Sequence, residues 1–237
     1  MSYIKYIISV ISALSLWSCA MDGTLQYSNV TMGNFVEGEF VSDQGLSFNI
    51  VERTCSGVID TLERAIISCD ILSRSEGGRY TVRLTGFNEV FTKDPVDSTS
   101  VTDQNIFIED PIHLGEAWYA GGYLNMLVYV PVKENSKQAH MINLVRDDQE
   151  TAKGIYRFTF KHNAHGELIT AEDTDFIMAG RYVSFPLTPL FKEDEKNVQI
   201  ILNWTSNEEI DGNWSAETTK NTISLKVERS GYEHKLQ

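Results

Sequence analysis

From Phe35 onward the apolar residues fall into short strings rich in valine, isoleucine, tyrosine and phenylalanine, each bounded by clusters of Gly, Asp, Asn and Ser. Such strings are the signature of β-strands, because branched and aromatic side chains pack well on a pleated surface while the bounding residues favour turns. The strings at 35–41, 46–51, 65–72, 79–84 and 89–92 predict strands in the first half of the chain. Within them YTVRL alternates, with Tyr80, Val82 and Leu84 on one side, as a half-buried strand requires. Strings at 106–113, 123–130, 141–145, 155–162, 198–204 and 223–228 extend the pattern through the second half. A short helix is predicted at 172–179, and FPLTPLF, with Pro186 and Pro189, as an irregular turn. The strand spacing and the lack of a long amphipathic pattern favour an all-β fold with a β-sandwich over any α/β arrangement.

Residues 93–104, KDPVDSTSVTDQ, are poor in apolar groups and read as a linker. The expected organisation is a signal peptide at 1–18, a tether at 19–33, a small β-domain at 34–95 and a larger C-terminal β-sandwich at 96–237.

The first residues, MSYIKYIISVISALSLWSC, carry one lysine, then an uncharged apolar run, then a cysteine. A run of about 12 residues is too short to cross a bilayer as a helix, which takes about 20. The segment resembles the bacterial lipoprotein signal, with Leu16, Trp17 and Ser18 ahead of an acylated Cys19. Two or more acyl chains on Cys19 would anchor the protein stably, each buried CH₂ contributing about 0.8 kcal/mol. The resulting expectation is an outer-membrane lipoprotein facing the periplasm or the cell surface.

With one lysine and no acid in the first 18 residues, the remainder holds 19 basic and 33 acidic residues, a net charge of −14. That field repels phosphate backbones and excludes nucleic acid as a natural partner. Export also places Cys55 and Cys69 in an oxidising compartment. A hairpin centred near 60–63 would bring them nearly opposite, as candidates for a disulfide, while Cys69 alone would serve as a small core residue.

Candidate chemistry is sparse. His162, His165 and Glu167 in KHNAHGE come nearest to a metal pattern, but three ligands from one turn make a weak site, and neither a metal nor a cofactor is expected. The chain contains no G-x-S-x-G, and its Gly-Gly pairs at 77–78 and 121–122 sit between strands rather than before a helix. Trp204 and Trp214 flank an Asn-, Glu- and Asp-rich loop, and Trp118 precedes a strand with Tyr119 and Tyr123. Aromatic faces beside carboxylates and amides suit sugar recognition. Trp118 and Trp204 are expected in the core, leaving Trp214 as the candidate ligand-binding residue.

The lipobox cysteine, RAIISCDIL at 64–72, WYAGGYLNMLVYV at 118–130, HMINLVRDD at 140–148 and YVSFPLTPL at 182–190 together resemble the NigD-like lipoproteins of Bacteroidetes. The resemblance covers most of the mature chain. It implies a small OB-like β-barrel followed by an immunoglobulin-like β-sandwich, and no established activity. The expected function is therefore non-enzymatic: a lipid-anchored binding or accessory module whose partner is a glycan or an outer-membrane protein. The alternative is a hydrolase acting on an envelope or dietary glycan, which would need distant carboxylates or histidines to converge in a cleft.

Overall fold

The computed structural model describes residues 28–59, 61–147, 152–168, 176–210 and 213–229. Cys19 and the signal lie outside them. Five strands, β1 (Ser28–Val36), β2 (Glu39–Ser42), β3 (Ser47–Arg53), β4 (Arg64–Arg74) and β5 (Arg79–Glu89), close into a barrel in the order β1-β2-β3-β5-β4. Every neighbouring pair is antiparallel except β3 with β5. This is the OB-like barrel. Phe40, Phe48, Ile67, Val82 and Leu84 fill it. Phe48 bridges its rings, lying 6.1 Å edge-on from Phe40 and stacking at 5.4 Å on Tyr80.

The remaining strands are β6 (Phe91–Thr92), β7 (Val96–Asp97), β8 (His113–Ala120), β9 (Tyr123–Lys133), β10 (Met141–Arg146), β11 (Ile155–Asn163), β12 (Phe176–Pro186), β13 (Asn197–Ile210) and β14 (Asn213–Glu228). They form two sheets, β14-β13-β11-β10-β7 and β6-β12-β9-β8. Their inner faces meet in one core that includes Leu124, Met126, Phe158, Phe185, Ile200 and Leu202. Alternation decides which side each residue takes: on β9, Leu124, Met126 and Val128 enter the core, and their odd-numbered neighbours face outward.

Several local expectations change. Residues 28–33, assigned to a tether, are the first part of β1, because seven residues from Ser28 onward pair in register with β4. The string 35–41 is not one strand but the hairpin of β1 and β2, turning through Glu37 and Gly38 at φ +50° and +85°. At 106–113 there is no strand until His113. Asp103 accepts a hydrogen bond from the Asn105 N–H and starts a short 3₁₀ turn over 104–107 instead. The helix expected at 172–179 is strand β12 from Phe176 on, drawn into the sheet by pairing with Lys133 and Val132 of β9; the earlier residues of that segment lie outside the described ones. Within the linker, Val96–Asp97 is β7.

Of the two readings of Cys55 and Cys69, the candidate bridge is not formed: both cysteines are free, and Cys69 is a core residue. Residues 54–63 do not return as a hairpin partner, because β3 pairs with β5 rather than β4. Cys69 lies fully buried in the barrel, and burial pushes its thiol up to about 11. Cys55 packs at the edge of the same core, with Sγ 3.9 Å from the Leu84 carbonyl oxygen.

Candidate functional site

Among the described residues, the most heavily built polar feature is the junction between barrel and sandwich. Arg64 opens β4 and is 2% exposed, a position an arginine occupies only when its charge and donors are matched. Two of its nitrogens donate to both carboxylate oxygens of Asp43, at 2.9 and 2.7 Å. The same guanidinium donates to Asn34 Oδ1 at 2.8 Å, Asn125 Oδ1 at 2.8 Å and Ser184 Oγ at 2.9 Å. The Tyr123 ring packs against its face, 4.1 Å from centroid to Cζ. Ser184 Oγ donates in turn to Asn125 Oδ1 at 2.7 Å, and the Tyr123 hydroxyl accepts from Asn34 Nδ2 at 3.2 Å.

Asn34, Asp43 and Arg64 belong to the barrel, whereas Tyr123 and Asn125 lie on β9 and Ser184 on β12. The network therefore ties the two units together through groups that face one another in a low-dielectric environment, where a bidentate charge pair is strong. Gly121, at φ +60°, is required here. A Cβ on it would lie 2.2 Å from Asp43 Oδ1, so only glycine lets the β8–β9 turn close on that carboxylate. The strings RAIISCDIL, GGYLN and YVSFPL each supply a member, Arg64, Asn125 and Ser184. The strings are legible in the sequence but their shared purpose is not, since the partners lie 61 and 120 residues apart.

A second cluster sits where β10 and β11 run side by side. His162 on β11 is 2% exposed. Its Nδ1 donates to the Asp110 carbonyl oxygen at 3.3 Å, which leaves Nε2, 3.0 Å from His140 Nδ1, to accept. His140 Nε2 lies 3.2 Å from Glu167 Oε2. Burial, reinforced by the neighbouring His140, holds His162 down at about 4. A hydrogen bond from Ser136, and then one from His140, lowers the Glu167 carboxyl.

A small pocket is lined here by Asp110, Pro131, His162, Glu167 and Asn207. Its ionisable groups are engaged within the protein: the Asp110 carboxylate accepts from the Ala164 N–H at 2.7 Å, and Glu167 faces His140. His162 turns its remaining nitrogen to a backbone carbonyl rather than to a nucleophile. The cluster can position a proton, and its geometry is that of a relay ending in main chain.

The residues singled out from sequence fare differently. His162 and Glu167 share this cluster, but His165 is an exposed turn residue at φ +53°, and His140, 22 residues before His162, takes its place. Among the described residues no three His, Cys, Asp or Glu side chains are placed to hold a metal. Trp204 packs against the sandwich core, as expected. Trp118 does not: it lies on the outer face of the β8–β9–β12 sheet, edge-on to Tyr182 at 6.4 Å. Trp214 belongs to β14, and its side chain lies outside the described residues.

A family model for the NigD-like C-terminal beta sandwich domain matches residues 94–228. Solved structures share the fold across both units. A NigD-like immunity protein from Bacteroides caccae superposes with a TM-score of 0.62 at 16% identity, covering 87% of this chain and 99% of its own. A candidate toxin-related protein from Parabacteroides distasonis gives 0.61 at 20%, covering 86% and 94%. A candidate lipoprotein from Bacteroides fragilis gives 0.59 at 13%, covering 86% and 99%. At these identities the likeness is one of fold. No curated protein matches the chain.

Proposed function

We propose, from the premise that this chain belongs to the NigD-like family, that it is a non-enzymatic recognition or accessory module of the cell envelope, anchored to the outer membrane through a lipid on Cys19. The observation that carries the recognition reading is the Arg64 junction. Its six side chains are devoted to fixing the barrel against the sandwich, and a fixed relation between two units serves a binding surface by removing the ordering cost of association.

The histidine cluster supports the same reading, because its carboxylates and imidazoles already hold partners within the protein. The anchor rests on the sequence around Cys19, and a candidate lipoprotein among the structural neighbours agrees with it. The partner class is a glycan or an envelope protein; the description of one neighbour as an immunity protein is in keeping with a protein partner.

Fatty-acid labelling and fractionation of the native chain against Cys19→Ala test the anchor. The native protein is expected to be labelled and membrane-bound, and the variant unlabelled and released. Co-purification from solubilised envelopes, with protease treatment of intact cells, then reports partner and face. Retention of Cys19→Ala in the membrane fraction would remove the lipid from this account.

A further inference from the structure

Outward of the junction, the β8–β9–β12 sheet carries a second feature. Alternation along β9 turns Leu127 and Tyr129 to the same outer face as Asn125. Leu127 stands opposite Glu116 on β8 and Tyr182 on β12, and Tyr129 stands opposite His113 and Gly180. Trp118 meets Tyr182 edge-on at 6.4 Å, and the His113 ring tilts toward Tyr129 at 5.7 Å. Four rings thus form one strip on one face of a sheet.

Tyr129 lies low on that face because both flanking strands lack a side chain beneath it. A Cβ on Gly180 would come within 2.7 Å of Tyr129 Cε1, and one on Gly115 within 2.9 Å of Cε2. Trp118, Leu127, Tyr129 and Tyr182 stay partly open to solvent, with His113 and Glu116 exposed beside them.

We propose that this strip is a carbohydrate platform for neutral, β-linked pyranose chains. Pyranose rings with equatorial substituents present apolar C–H faces that stack on aromatic rings, while their hydroxyls need acceptors at the rim. Here the rings supply the first, and the exposed Glu116 carboxylate the second. The net charge of −13 disfavours polyanionic glycans and points to neutral ones. The assignment rests on the recognition reading above and names its ligand class and its face.

Titration calorimetry of the purified full chain in detergent tests it, with cellohexaose and chitohexaose as probes and oligogalacturonate as the anionic comparison. Saturable binding of at least one neutral glycan is expected, weakened about tenfold or more in Trp118→Ala and Tyr129→Ala. The variant Val58→Ser, at an exposed position of the barrel unit, should bind as the native chain does. Quenching of Trp118 fluorescence by the glycan, identified by its loss in Trp118→Phe, gives a reading that does not depend on how well an alanine variant folds.

No saturable binding to either neutral glycan overturns the proposal, as does binding undiminished in both ring variants or equal binding of oligogalacturonate. A concentration-dependent dimer abolished by Tyr129→Ala would assign the strip to self-association and overturn it equally. A protein partner recovered from envelopes without glycan binding would remove this site and leave the recognition reading intact. Glycan binding by a chain that is never lipidated would do the reverse to the anchor.

Discussion

At Arg64 all the charge and donor capacity of a guanidinium is used inside the protein, so the residue is worth more as a partner than as an isolated side chain. Arg64→Met strands the Asp43 carboxylate, itself 7% exposed, without its counter-ion. The expected loss is about 3–5 kcal/mol in urea unfolding, the range for breaking a buried pair from one side. Replacing both members, as in Arg64→Met with Asp43→Leu, should lose clearly less, because no uncompensated charge remains; an equal or larger loss in the double variant would refute the pairing argument. His162 gives a pH dependence with a definite sign. Its folded value of about 4 lies below the ordinary 6.5, so between the two the unfolded chain binds a proton that the folded chain refuses. This contribution is level above pH 6.5, and stability falls as pH drops from there toward 4, by about 3 kcal/mol in all. The measurement is the difference between native and His162→Gln unfolding energies across that window, and a flat difference would contradict a neutral, buried His162.

At the scale of elements, alternation and turn residues made most strands legible, since both are local. What they could not carry was pairing. The parallel β3–β5 contact closes the barrel, and it also rules out the hairpin that would have set Cys55 opposite Cys69. Residues 176–179 show the same limit: a sequence that reads as a short helix becomes strand when Lys133 and Val132 offer a ladder. For the candidate sites the loss was greater. Trp118 was expected in the core because an aromatic beside a strand usually packs inward, yet the register with Asn125 turns it outward. Tyr129 carries no local mark of its outward position, and neither Gly115 nor Gly180 signals in the sequence that a ring covers it. Gly180→Ala should cost about 1–3 kcal/mol through the collision with Tyr129. Thermal unfolding measures it, and Tyr129→Ala in the same chain should recover part of the loss, whereas strictly additive losses would show that the ring and the glycine do not meet.

For the whole molecule, the junction makes barrel and sandwich one unfolding unit. The native chain should unfold in a single transition, and Arg64→Met should split it in two, followed by calorimetry; a variant that still unfolds in one step would show that the apolar cores and the linker couple the halves without this network. The linker itself is held on both sides. Phe91–Thr92 pairs with Val183 and Ser184 in one sheet, and four residues later Val96–Asp97 pairs with Val145 and Arg146 in the other. Both contacts are parallel, so tension along the chain from the barrel loads each short ladder in shear, the direction in which its hydrogen bonds must fail together rather than one at a time. A protein dragged by its amino-terminal end against a bound surface would therefore pass that force into both layers of the sandwich at once, and the connection between its halves would act as a clamp rather than a hinge.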